Sequence, residues 1–178
     1  MSKLSWNEQL DQKLALAAER KRQENPSPSS IKIALVGVGN ELNGDDGAGN
    51  RIAAKLLALS TLPAFFLPIN AGSIPENASG VLRRFQPDLV IFVDAADFNG
   101  APGEIRWLEV EQIGGMSASS HTLPLPVLGQ FLETELNCKV EYLGIQPERL
   151  SFDSELSPSV IQATDEIARA FIARMSGA

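Results

Sequence analysis

Three side chains in this sequence are of the right types to do chemistry together. Asp46 is the second of two adjacent aspartates in Val36-Gly37-Val38-Gly39-Asn40-Glu41-Leu42-Asn43-Gly44-Asp45-Asp46-Gly47-Ala48-Gly49. Asp94 directly follows Leu89-Val90-Ile91-Phe92-Val93, the most strongly apolar run in the chain. His121 is the one histidine present. Two carboxylates and an imidazole make a mixed oxygen and nitrogen set that suits a borderline divalent cation. The set is too poor in nitrogen and sulfur for a closed structural zinc site, so it reads as an open one.

Each residue also has a plainer reading. Asp45-Asp46 could cap a helix, because aspartate satisfies free N–H groups at a helix start. One aspartate suffices for that. The second, held ionised by the helix dipole, is free to bind a cation. Asp94 could be an Asx-turn residue, and for Asp97, beside Phe98-Asn99-Gly100, the turn is the preferred reading. A lone histidine is usually structural or merely exposed. Here it precedes Thr122-Leu123-Pro124, a helix start where the dipole disfavours the imidazolium. Metal binding requires the neutral ring.

The elements that must position these residues are legible in the pattern. Ile31 to Leu35 is apolar enough for a buried strand, and Ile52, Leu56 and Leu59 mark a helix after the Gly-rich loop. Strand, loop and helix often bind phosphate, but this loop is built differently. A dinucleotide fingerprint needs glycine at Leu42, and no Gly-Lys-Ser/Thr follows. Paired carboxylates at the helix start would repel a phosphate. Residues 64–69 predict a second strand, at an edge because Pro68 cannot donate to a ladder. A short helix is predicted over 75–85, then the central strand at 89–93. Residues 104–110 alternate as a half-exposed strand does, in a hairpin-like, antiparallel edge. Leu125, Leu128 and Leu132 line a helix, Lys139 to Ile145 forms a further strand, and Ser157-Pro158 opens the last helix with Ser157 as N-cap. Five strands alternating with helices imply a three-layer α/β/α sandwich with a mostly parallel sheet and one antiparallel strand. Asp46, Asp94 and His121 then fall at one sheet edge, outside the carboxyl ends of the strands.

The chain has 178 residues, enough for one domain with a sizeable core. A net charge of −7 and a pI of about 4.8 argue against nucleic-acid binding. The single cysteine, Cys138, excludes an intrachain disulfide framework and fits a cytoplasmic location. No apolar run is long enough to span a membrane. Residues 1–24 predict an amphipathic helix with Trp6, Leu10, Leu14 and Ala17 on one face. It lacks the apolar run and cleavage site of a signal peptide. A Pro/Ser linker follows, so residues 1–30 are set apart from a domain at 31–178. The helix is free to dock on that domain, pair with a copy of itself, or stay mobile.

The motifs, taken as a set and in order, resemble the hydrogenase maturation endopeptidases. They are Gly37-Val38-Gly39-Asn40 with Gly44-Asp45-Asp46-Gly47-Ala48-Gly49, Gly72-Ser73-Ile74-Pro75-Glu76-Asn77, Val93-Asp94-Ala95, Ser120-His121-Thr122-Leu123-Pro124-Leu125 and Gly144-Ile145-Gln146-Pro147. The branch serving hydrogenase-3-type and related [NiFe] enzymes is the nearest in pattern. The similarity covers residues 31–175, and residues 1–30 lie outside it. The resemblance implies a phosphorylase/hydrolase-like α/β/α fold. It implies that Asp46, Asp94 and His121 form the metal-binding and catalytic site. It also implies that the substrate is a [NiFe] hydrogenase large-subunit precursor, from which a C-terminal extension is clipped after nickel insertion. The nickel is carried by the substrate's cysteines and acts as the recognition signal, so little or no metal is expected in the isolated protein. Asn40 and the amides of the Gly37–Gly39 turn are expected to line the substrate groove.

A serine hydrolase would need a G-x-S-x-G elbow, which is absent. A cysteine protease would pair Cys138 with His121, yet Cys138 falls between a helix and a strand, where packing is the simpler role. An aspartic dyad of Asp46 and Asp94 is a further reading. The non-enzyme alternative is a nickel-dependent chaperone that binds the large subunit without cutting it.

Overall fold

The computed structural model describes residues 4–25, 30–111, 113 and 123–176. Its sheet has five strands: β1 (Ile33–Gly37), β2 (Phe66–Asn70), β3 (Leu89–Ala95), β4 (Ile105–Leu108) and β5 (Lys139–Ile145). Their order is β2-β1-β3-β5-β4. All neighbours are parallel except β4, which runs antiparallel to β5 with Trp107 opposite Leu143. Pro68 lies in the edge strand β2, as its missing N–H requires.

Its α-helices include α1 (Trp6–Glu24), α2 (Ala48–Leu57), α3 (Ser79–Phe85), α4 (Leu125–Leu136) and α5 (Pro158–Ser176). A 3-10 turn, Gly44–Gly47, leads into α2, and another, Pro75–Ala78, leads into α3. The strands explain the layers by alternation. Leu89, Ile91 and Val93 of β3 pack with Ile52 and Leu56 of α2 and with Ile167 and Phe171 of α5. Val90 and Phe92 face the other way, toward Leu82 of α3 and Leu128 and Leu132 of α4. The result is the expected three-layer sandwich, with a core on each side of the sheet.

One connection differs from expectation. Residues 104–110 were expected in a hairpin-like edge, but β4 does not pair with the preceding β3. Strand β5 lies between them. The physical reason is burial. The second half of β5, Tyr142 to Ile145, is buried, whereas the first two residues of β4 are only half-buried. Placing β5 inside and β4 at the rim matches each strand to its composition.

Helix α1 is docked, which resolves the three fates its sequence left open. Ser5 and Glu8 form a capping box at its start. Leu10 and Ala17 are buried in the core shared with α2 and α5, with Trp6 and Leu14 packed against it. Polar contacts fix its position. Trp6 Nε1 donates to Glu166 Oε1 at 2.7 Å, and Trp107 Nε1 donates to the Trp6 carbonyl at 2.8 Å. Lys13 pairs with Glu141 and Lys21 with Asp88. Leu10→Ala is expected to lower stability by about 2–5 kcal/mol, since the side chain is fully buried. Removing residues 1–30 leaves α2 and α5 on that face of the sheet. The truncated chain is therefore expected to unfold cooperatively, at a lower temperature than the full chain. Circular dichroism melts of the two chains check this, and a non-cooperative melt of the truncation would make α1 indispensable to the core.

Candidate active site

The loop after β1 is shaped by contacts that only small residues allow. A Cβ on Gly37 or Gly49 would collide with backbone, at Gly49 with the carbonyl oxygen of Val93. This close approach seats the start of α2 directly on the ends of β1 and β3. Val38 N–H donates to Val93 O at 2.9 Å, and Gly39 N–H donates to Gly72 O at 2.9 Å. Asp46 lies three residues before Gly49, and Asp94 is the residue after Val93. The fold thus carries both acids to the carboxyl edge of neighbouring parallel strands. Asp46 is 2% exposed and Asp94 7%. Asp46 Oδ2 accepts the Asn40 N–H at 3.1 Å.

Asp94 belongs to β3 itself and does not follow it. It lines a mostly apolar pocket with Phe92, Leu108, Ile113, Leu125 and Tyr142. Burial pushes the Tyr142 phenol well above its ordinary value, and its hydroxyl donates to Leu125 O at 3.2 Å. Tyr142 is therefore a neutral wall of this pocket. His121 lies outside the described residues. Ile113 and Leu125, on either side of it in the chain, both line the pocket that Asp94 lines. Among the described residues no three His, Cys, Asp or Glu side chains form a metal-holding group.

The two adjacent aspartates have separate roles, and neither caps α2. The residues at the N-cap positions of the 3-10 turn and of α2, Asn43 and Gly47, make no side-chain cap bond. Asp45 is fully buried and gathers the segment between β5 and α5. Its Oδ2 accepts from Glu148 N at 2.8 Å, Arg149 N at 2.9 Å and Ser157 Oγ at 2.9 Å, and its Oδ1 accepts from Ser157 N at 2.6 Å. Ser157 does precede α5, and its carbonyl accepts Ile161 N at 2.9 Å. Its hydroxyl, expected as a cap, is instead committed to Asp45 and to Ser159 Oγ.

The remaining motif residues divide in the same way. Gln146 is buried, and its Oε1 accepts from Phe98 N and Gly100 N at 2.9 and 3.0 Å. Its Nε2 donates to Asp97 Oδ1 at 3.1 Å. That bond, followed by one from Asn99 N–H, holds the Asp97 carboxyl below its ordinary range. Asp97 is thus the turn residue expected. Asn40 is exposed, and its Oδ1 accepts Leu42 N at 3.1 Å. The amides of Val38 and Gly39 are already committed to Val93 and Gly72, so toward a substrate this turn offers shape and the Asn40 side chain.

Cys138 lies before β5, at the sheet edge opposite the acids, and is 2% exposed. Burial pushes its thiol up to about 11. A buried thiol that stays protonated at neutral pH is no nucleophile. Labelling by a thiol reagent at pH 7.5 is expected to run about 100-fold or more slower in the native protein than in denaturant. Comparable rates in the two states would contradict this burial.

The protein is thus a mostly parallel α/β/α sandwich with two nearly buried carboxylates at the carboxyl edge of its sheet. The comparisons give the particular family. The sequence profile for hydrogenase maturation protease matches residues 51–174, so it covers Asp94 and His121 and begins beyond Asp46. The hydrogenase 3 maturation protease of Escherichia coli K12 is 34% identical over 134 residues, covering 75% of this chain and 84% of that protein. The crystal structure of a [NiFe] hydrogenase maturation protease, HycI, from Thermococcus kodakarensis superposes with a TM-score of 0.72. It is 31% identical, and the match covers 82% of this chain and 92% of the other. The solution structure of the endopeptidase HycI from Escherichia coli gives 0.70 at 32% identity, over 83% and 90% of the chains. The chain belongs to the hydrogenase maturation protease family and is a peptide-bond hydrolase. The non-cleaving chaperone reading is thereby set aside.

Proposed function

We propose that this endopeptidase removes the C-terminal extension of a [NiFe] hydrogenase large-subunit precursor, and that nickel already bound to the precursor is its recognition signal. The observation that carries the reading is the pair of nearly buried carboxylates, Asp46 and Asp94, at one edge of neighbouring parallel strands. Buried carboxylates are costly unless they meet donors or a cation. In this reading Asp46, Asp94 and His121 are the groups that meet the substrate's nickel. Bound there, the metal would supply a Lewis acid for the scissile carbonyl or for a water. One of the two aspartates would take the water's proton. The pocket beside Asp94 is walled by Phe92, Leu108 and Leu125.

The test is incubation of the full chain with nickel-loaded and nickel-free precursor, followed by mass analysis of the products. Clipping of the loaded form alone is expected. His121→Ala is expected to reduce that clipping while the melting temperature holds. Elemental analysis of the dialysed protein is expected to find well below one equivalent of metal. Efficient cutting of nickel-free precursor would replace this reading with the aspartic dyad, and a retained stoichiometric zinc would replace it with an ordinary zinc peptidase.

A further inference from the structure

Asn50 stands in the first turn of α2 and is 1% exposed. Its Nδ2 donates to the carbonyl oxygen of Gly39 at 2.7 Å. The N–H of that same peptide group belongs to Asn40, and it donates to Asp46 Oδ2 at 3.1 Å. One peptide plane therefore bridges the Asn50 amide and the Asp46 carboxylate. On its far side Asn40 is held by the loop, its carbonyl accepting Asn43 N–H at 3.0 Å and its Oδ1 accepting Leu42 N–H at 3.1 Å, whereas the Gly39 carbonyl is held by Asn50. Gly39 has φ 136°, a conformation that residues with a Cβ rarely adopt, and a Cβ there would collide with the Asp46 backbone oxygen. The preceding peptide is anchored by Gly39 N–H on Gly72 O, and Asn50 adds the hydrogen bond to the Gly39 carbonyl itself. The other end of the Asn50 side chain, Oδ1, is buried with no hydrogen-bond partner among the described residues.

We infer that Asn50 is a positioning residue for Asp46, acting through the Gly39–Asn40 peptide. The inference rests on the reading of Asp46 as a site carboxylate. A hydrogen bond to the Gly39 carbonyl polarises the peptide and strengthens the Asn40 N–H as a donor. That donor is one of the contacts that set where the Asp46 carboxylate lies before any substrate arrives. Asn50 itself touches no reacting atom. It sets the geometry of a group that does, and small misplacements of such groups are costly in rate.

The test uses the full chain with Asn50→Leu, which keeps similar volume without a donor. Amide hydrogen exchange at Asn40 is followed by NMR, together with kcat and KM for processing of nickel-loaded precursor and the melting temperature. Exchange at Asn40 is expected to accelerate about 10-fold or more, while Leu35 and Val36 in β1 keep their protection. The kcat is expected to fall about 10- to 100-fold, with KM within about threefold of wild type. A merely structural Asn50 would lower the melting temperature and leave kcat intact below it. Unchanged Asn40 exchange, or released exchange with wild-type kcat, overturns the inference. Asn50→Ala, which lacks the donor and adds neither bulk nor charge, must give the same pair of results and serves if the leucine variant does not fold. Wild-type cleavage by Asp46→Asn alongside a released Asn40 amide would support the bridge and refute the role of Asp46.

Discussion

Asp46→Asn and Asp94→Asn are each expected to reduce processing of nickel-loaded precursor by about 100-fold or more, with the fold retained. An amide keeps the size of the carboxylate and one acceptor oxygen, so Asn40 N–H can still be satisfied at position 46. What is lost is the negative charge. A neutral amide is a weak ligand for a divalent cation and no base for a proton. The two acids sit on different elements, a 3-10 turn and a strand, yet both substitutions act on one edge. The double variant should therefore be scarcely worse than either single one, because groups that act as a unit are not additive. Single-turnover assays at matched temperature, with melts of each variant, make the check. Activity near wild type in either variant, with the protein folded, would remove that acid from the chemistry.

Asp45→Ala should be the most destabilising single change at this edge, although Asp45 is not expected to touch substrate. Its carboxylate accepts four hydrogen bonds from three residues at full burial. Bonds to a charged acceptor are stronger than neutral ones, and removing the acceptor strands buried donors. A loss of about 3–5 kcal/mol is expected, which for a chain of this size lowers Tm by roughly 10 °C. The freed donors lie at residues 148, 149 and 157, so the segment between β5 and α5 should loosen first. Thermal melts and amide exchange at Glu148 and Arg149 measure the effect. A change below about 1 kcal/mol would mean that water replaces the carboxylate and that the segment is held elsewhere.

Exchanging the two aspartates thus separates stability from chemistry. The contrast also explains why adjacent identical residues were hard to assign. In a 3-10 turn successive side chains point about 120° apart, so neighbours in sequence face different surroundings. Asp45 meets the segment before α5, and Asp46 meets the Asn40 amide.

The sequence by itself determined what depends on short-range pattern. Apolar periodicity located the five strands and the buried faces of α2, α4 and α5, because a side chain's exposure to the core recurs with the period of its element. Pro68 placed its strand at an edge, since a missing N–H needs no partner to be noticed. The motif order was enough to identify the family and to mark Asp46, Asp94 and His121 as candidates. Tertiary structure alone decided what depends on contacts distant in sequence. The donors to Asp45 come from residues more than 100 positions away. The insertion of β5 between β3 and β4 is a choice of neighbours that alternation within one strand does not encode. The docking of α1 likewise rests on Trp107, Glu141 and Glu166, far along the chain. Asn50 carried no signal, because an asparagine in the first turn of a helix is ordinary until the carbonyl it meets is known. A hydrogen bond is a relation between two residues, and a linear sequence specifies only one of them at a time.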